Sequence, residues 1–153
     1  MDSDLSPLET PDPNDPVAAR LFPAALEVHQ HSYSPYSKYK VGAAILTDRG
    51  NVYAACNVEN AAYPVSTCAE AGAISAMISA GEARIVAVLT VCDGEILGTC
   101  CGGCRQRIRE FASLDTPVYA ADPERVRAVF TVAGLLPHSF GPEHLPLEGA
   151  GST

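Results

Sequence analysis

The order of hydrophobic patterns along the chain predicts an α/β protein: a three-layer α/β/α sandwich around a mixed sheet of about five strands. Three observations predict it. Apolar residues recur at helical spacing in three separate stretches. Short β-type runs alternate with those stretches, which is the pattern of helices packed on the faces of a sheet. The chain has 153 residues, a length that suits one core.

Residues 1–16 are rich in Pro, Asp and Ser and read as a disordered tail. Val17 to His31 places Ala18, Leu21, Phe22, Ala25, Leu26 and His29 at helical spacing, with Asp15 as cap and Pro16 in the first turn. Ser34-Pro35-Tyr36-Ser37 breaks that pattern. Lys40 to Thr47 and Asn51 to Asn57 form a hairpin across Asp48-Arg49-Gly50-Asn51. Cys68 to Ala80 is a helix with Ile74, Met77 and Ile78 on one face, closed by Gly81. Arg84 to Val91 is a buried strand, and Gly102 to Ala112 a helix with Ile108 and Phe111 inward. Pro117 to Ala121 and Val126 to Thr131 are short strands, followed by a short helix from Val132 to Leu136. One domain over residues 17–146 and a flexible tail over 147–153 complete the expected organisation.

The composition is 47% hydrophobic and 18% charged, which is globular rather than disordered. The formal net charge is −8, and no basic patch with interleaved aromatics is present, so nucleic acid is not an expected partner and a small neutral substrate is. Met1-Asp2-Ser3-Asp4 is acidic and lacks an apolar run, so no secretory leader is expected. No apolar stretch is long enough to span a membrane. These features predict a cytoplasmic location, where six cysteines stay reduced and clustered ones serve metals or catalysis.

Two cysteine segments carry the chemistry: Thr67-Cys68-Ala69-Glu70 and Cys101-Gly102-Gly103-Cys104-Arg105-Gln106. Each opens a predicted helix, where free N–H groups and the helix dipole stabilise thiolates. Cys101 and Cys104 lie three apart and can face one ion from a single turn, with Cys68 arriving from the other helix. Three ligands leave the fourth position of tetrahedral zinc open, which is the pattern of a catalytic site. Glu70, two residues after Cys68, can take a proton from water there. The segments have plainer readings too. Thr67 and Glu70 fit a capping box, and a C-x-x-C alone fits zinc, a redox pair or chance.

Taken in order, these segments resemble the small, homotetrameric zinc-dependent cytidine deaminases, whose C-x-x-C and Glu signature is a known one. The resemblance runs from about Ser32 to Leu145. It is carried by Pro35-Tyr36-Ser37-Lys38-Tyr39, Val41-Gly42-Ala43-Ala44, Asn57-Val58-Glu59-Asn60-Ala61-Ala62-Tyr63, the two cysteine segments, Thr131 to Pro137, and Phe140-Gly141-Pro142. It implies one Zn²⁺ per chain on Cys68, Cys101 and Cys104, with Glu70 as proton shuttle in the hydrolytic deamination of cytidine and deoxycytidine for pyrimidine salvage. It also implies Asn57 and Glu59 as ribose ligands, Tyr39 beside the base, and the Ala69 N–H and Thr99 carbonyl reading the pyrimidine. A solvated strand end is the alternative reading of Asn57 and Glu59, and core packing that of Tyr39. The resemblance further implies a homotetramer with shared active sites, Phe140 reaching a neighbour's pocket and Tyr63 lying near an interface.

Three residues depart from the family pattern. Ala71 stands where an Arg usually follows Cys-Ala-Glu. Three thiolates and Zn²⁺ sum to −1, so a cationic donor is needed nearby, and Arg105 is the expected one, ahead of Arg107 and Arg109. Cys100 replaces a usual Pro, which leaves a looser loop or a competing metal ligand as expectations. Lys40 replaces another usual Pro. Alternatives within reach of the same residues are a deaminase of an antibiotic cytosine nucleoside of the blasticidin type, a zinc-stabilised relative without catalysis, and a redox Cys101/Cys104 pair.

Overall fold

The structure, a computed structural model, describes residues 8–145. Helix α1 (Pro16–Gln30) precedes the hairpin β1 (Val41–Thr47) and β2 (Val52–Cys56). Helix α2 (Ala69–Ser79), strand β3 (Ile85–Cys92) and helix α3 (Gly102–Phe111) follow, then β4 (Pro117–Ala121), β5 (Val126–Thr131) and the short α4 (Val132–Leu135). The sequence pattern places each of these elements to within about two residues, the usual uncertainty of an element's end. Two short 3₁₀ turns, Tyr63–Val65 and Pro142–His144, carry no hydrophobic period and were not anticipated.

The five strands lie in the order β2-β1-β3-β4-β5. β1 runs antiparallel to both β2 and β3, β3 and β4 are parallel, and β4 and β5 are antiparallel, so the sheet is mixed as expected. The parallel pair requires a crossover, and α3 supplies it. Neighbouring residues on a strand face opposite layers. Ala44, Leu89 and Val91 pack with Leu21 and Ala25 of α1, while Ile45 and Val88 pack with Met77 of α2 and Ile108 of α3. This gives the three layers: α1, sheet, and α2 with α3. Leu21, Ile45, Met77, Leu89 and Ile108 are fully buried, each worth about 1.5–3 kcal/mol of hydrophobic free energy.

Two contacts set α1 against the sheet. A Cβ at Gly42 would overlap the Ala25 carbonyl and lie 2.8 Å from His29 Cβ, so only glycine lets the helix rest on β1. At the other end, buried His29 Nε2 lies 2.8 Å from Asp93 Oδ1, just beyond β3.

The disordered tail expected over residues 1–16 needs correction where residues are described. Pro11 is buried, and Glu9 O accepts from Val129 N at 3.0 Å, so this segment covers the exposed edge of β5. Asp15 caps α1 through Val17 N and Ala18 N, at 2.9 and 3.3 Å, and accepts from the Tyr119 hydroxyl at 2.6 Å. The Pro- and Asp-rich composition therefore reflects turns and a cap rather than disorder. Residues 1–7 and the tail expected over 147–153 lie outside the described residues.

Candidate active site

Cys68 and Cys101 are the N-cap residues of α2 and α3, and Cys104 lies buried in the first turn of α3. Neither cap is made by a side chain. The capping-box alternative for Thr67 and Glu70 is thereby removed; Thr67 instead exchanges two main-chain hydrogen bonds with Val58, each 2.9 Å. The three sulfurs all lie within 4.8 Å of one another, and Cys68 and Cys101 are 4.0 Å apart. Zn–S bonds of about 2.3 Å in a tetrahedron put sulfurs about 3.8 Å apart, so the cluster needs only a small contraction to hold the ion. Among the described residues no fourth His, Cys, Asp or Glu joins it. A structural zinc site is closed by four ligands; this one leaves a position open.

The charge balance points the same way. Burial, reinforced by the charges of Cys101 and Glu70, raises the Cys68 thiol above its ordinary value. Burial and the neighbouring charges of Glu70, Cys68 and Cys101 raise Cys104 further. Burial also acts on Cys101, but hydrogen bonds from Cys104 and Cys68 outweigh it and hold that thiol low. A donor set in which each anion opposes the next is one that a divalent cation stabilises.

Beside the sulfurs lies a cavity of about 290 Å³, close to the size of small-molecule clefts. Glu70, only 4% exposed, projects into it from the first turn of α2. Tyr39, Asn57, Glu59, Cys68, Ala69, Thr99 and Cys101 also line it. The structure thus brings together eight of the residues picked from sequence, with Cys104 directly behind.

The far side of the cavity is held by side chains bonded to backbone. Asn57 Oδ1 accepts from Val41 N at 2.9 Å and from the Ser32 hydroxyl, and its Nδ2 donates to Tyr39 O at 2.9 Å. One Nδ2 hydrogen is left for a ligand. Glu59 Oε1 accepts from Tyr36 N and Ser37 N at 3.0 and 3.1 Å. Hydrogen bonds from Ser37, its hydroxyl foremost, hold the Glu59 carboxyl below its ordinary value, so it is anionic at neutral pH. Asn57 and Glu59 both line the one cavity. Tyr39 is 39% exposed and is a cavity wall, not a core residue.

Three expectations change. Arg105 does not touch a thiolate: its Nε donates to Cys100 O, and its two terminal nitrogens to Leu135 O and Thr99 Oγ1, all at 2.8 Å. The guanidinium on sulfur belongs to Arg107, whose Nη1 lies 3.9 Å from Cys104 Sγ. Helical geometry explains the exchange, since residues three apart share a face and Arg107 is Cys104 plus three. Cys100 is 2% exposed, lies in the core and is not among the clustered ligands, and Arg105 fixes its carbonyl, so the loop is not loose there. Lys40 gains a physical account: its N–H donates to Asp93 Oδ2 at 3.1 Å, a bond a proline cannot make.

Phe140 is 57% exposed, stacks on His144 with ring centroids 4.8 Å apart, and does not line this cavity. Buried Arg109 holds that segment through Ser139 Oγ at 3.0 Å and through Glu143. Sequence reasoning missed Val41, Ser66, Thr67 and Cys92 as cavity residues. For Cys92 a signal existed: it ends a parallel strand, where open α/β sheets bind ligands. Ser66 and Thr67 carried none beyond their adjacency to Cys68.

A mixed sheet with two thiol-bearing helix N-termini, an open metal position and a buried carboxylate defines a zinc-dependent hydrolase. The family model described as "Cytidine and deoxycytidylate deaminase zinc-binding region" matches residues 17–121. A cytidine deaminase of Sporosarcina psychrophila is 39% identical over 126 residues, 82% of this chain and 93% of that one. A cytidine deaminase of Mycobacterium tuberculosis is 38% identical over 117 residues, covering 76% and 84%. The crystal structure of cytidine deaminase from Burkholderia pseudomallei superposes with a TM-score of 0.74 at 35% identity, over 80% of this chain and 98% of that one. The chain belongs to the cytidine and deoxycytidylate deaminase family.

Proposed function

We propose that this chain hydrolyses cytidine and deoxycytidine to uridine and deoxyuridine, a salvage reaction that releases ammonia. The observation that carries the reading is the shared cavity: buried Glu70 beside three thiols at one end, Asn57 and anionic Glu59 at the other. The donor set fits one Zn²⁺, which when bound acts as a Lewis acid and makes water acidic near neutral pH. Glu70 takes the proton of the attacking water and places it on N3 of the base. It then takes the remaining proton from the C4 hydroxyl and passes it to the departing amine, so that the C4–N bond breaks and ammonia leaves as the C4 carbonyl forms. Asn57 binds the sugar through its free Nδ2 hydrogen and Glu59 through a charge-assisted hydrogen bond. The Ala69 N–H and the Thr99 carbonyl orient the pyrimidine, and the ring of Tyr39 flanks it. Arg107 offsets the excess charge on the sulfurs.

The same reading makes the protein a cytoplasmic homotetramer. No helix among the described residues is long and apolar enough to cross a membrane. Phe140 and Tyr63 are exposed aromatics, and Phe140 stays outside its own chain's cavity, available to a neighbour's. A fully active monomer in sedimentation would overturn that part. The central test follows cytidine loss by ultraviolet absorbance in zinc-loaded wild type and Glu70→Gln. The variant should keep its zinc and lose about 10²- to 10⁴-fold in kcat. Undiminished turnover in Glu70→Gln overturns the mechanism, and an inert wild type overturns the substrate.

A further inference from the structure

Tyr39 raises a question that the proposed reaction does not answer: what becomes of its hydroxyl. The ring is part of the cavity wall, and the hydroxyl lies beside Gly98 and Cys92 rather than free in the opening. It ends over Gly98, in the loop between β3 and the second cysteine segment. A Cβ placed on Gly98 would sit 2.6 Å from Tyr39 Oη, 2.8 Å from Cys92 Cβ and 3.0 Å from Cys92 Sγ. Phenol and thiol thus converge on the one position that has no side chain. Burial foremost, then the nearby Cys92 and Asp93, push the Tyr39 hydroxyl up to about 12, as fits a group with a thiol partner in place of water.

The backbone of Tyr39 is fixed as well. Its N–H donates to Ser37 Oγ at 3.0 Å and its carbonyl accepts from Asn57 Nδ2 at 2.9 Å. The next residue, Lys40, is bonded to Asp93, the neighbour of Cys92. The ring therefore pivots only about its own side-chain bonds, and the slot over Gly98 decides where it rests.

We infer that Gly98 and Cys92 are positioning residues that hold Tyr39 against the cavity wall, so that the size of residue 98 sets how well the pocket admits its nucleoside. Cys92 Cβ is attached to the central strand β3 and cannot retreat. A methyl group at 98 must therefore push its own loop off Cys92 by a few tenths of an ångström and displace the more mobile partner, the phenol, from its slot. Gly98 does not have a positive φ, so alanine suits its backbone dihedrals, and the cost of the substitution is its contact with Tyr39 and Cys92.

The inference rests on the nucleoside reading of the cavity, and the experiment separates the two. In zinc-loaded protein, Gly98→Ala should raise KM for cytidine roughly tenfold, the usual order for overpacking, with kcat changed by less than about threefold and zinc content intact. In a Tyr39→Phe background the same Gly98→Ala change should cost markedly less, because the displaced hydroxyl is gone. The ring resonance of Tyr39, assigned by its loss in Tyr39→Phe, should shift in ligand-free Gly98→Ala. An unchanged KM, or a KM rise equal in both backgrounds, overturns the lock. Should the wild type fail to deaminate cytidine, the substrate reading falls alone, and an unmoved Tyr39 resonance in Gly98→Ala then overturns the lock independently.

Discussion

Cys68, Glu70, Cys101 and Cys104 are placed by two helix N-termini, whereas Asn57, Glu59 and Tyr39 at the other end of the same cavity are placed by loops bonded to one another. In the first region the polypeptide's own geometry aims the ligands. The first turn of α3 delivers two thiols three residues apart, and the packing of α2 and α3 against the sheet brings in the third. In the second region each side chain has two tasks on the proposed reading, since the groups that would bind a sugar also hold the backbone around it. Asn57 alone ties Ser32, Tyr39 and Val41. The metal corner should therefore tolerate loss of binding chemistry without loss of fold, and the rim should not.

Asn57→Ala probes this contrast with the largest expected effect. It removes the remaining Nδ2 donor, leaves Tyr39 O to water, and orphans the part-buried Val41 N at about 1–3 kcal/mol if left unsatisfied. KM for cytidine should rise roughly a hundredfold and the melting temperature should fall by several degrees, while bound zinc stays near one per chain. Kinetic loss with an unchanged melting temperature would show that the rim, like the corner, separates binding from folding.

A middle-sized effect divides the two arginines of α3. Arg107→Ala removes the guanidinium on Cys104 Sγ and should speed zinc loss to a chelator about tenfold, with little change in thermal stability. Arg105→Ala breaks three bonds to neutral acceptors and should instead lower the melting temperature, leaving zinc retention close to wild type. The opposite pattern would return the charge-offsetting role to Arg105. It would also show that the corner depends on its loops as the rim does.

The same contrast governs what the sequence could convey. The zinc ligands and Glu70 were legible because a helix converts spacing into direction: a C-x-x-C at a helix start has few geometries. All five strands were legible from their periods. Arg107 rather than Arg105 reaches Cys104 Sγ because the helical face favours Cys104 plus three over Cys104 plus one. The rim was legible only as a resemblance. Nothing in Lys40 or Gly98 announces a role until the chain between β3 and α3 is folded against the segment that precedes β1. Residues 8–15 misled for another reason, as Pro and Asp serve turns and caps as readily as they serve disorder.

The smallest effect is a flat line, and Glu59 supplies it. Its folded carboxyl lies below the ordinary value, chiefly through the Ser37 hydroxyl, so the sign follows directly. A depressed acid keeps its ion-dependent contributions above its unfolded value, and loses them only as pH falls through the lower folded one. From about pH 8 down to about pH 5.5 Glu59 stays ionised, so the ratio of KM in Glu59→Gln to KM in wild type should not change. A carboxylate standing free at the rim would begin to protonate near the ordinary carboxylate range, and the ratio would start to shrink toward the acid end of that interval. A slope there would mean that the Tyr36, Ser37 and Glu59 contacts loosen in solution, which would leave the rim less built than the metal corner it faces.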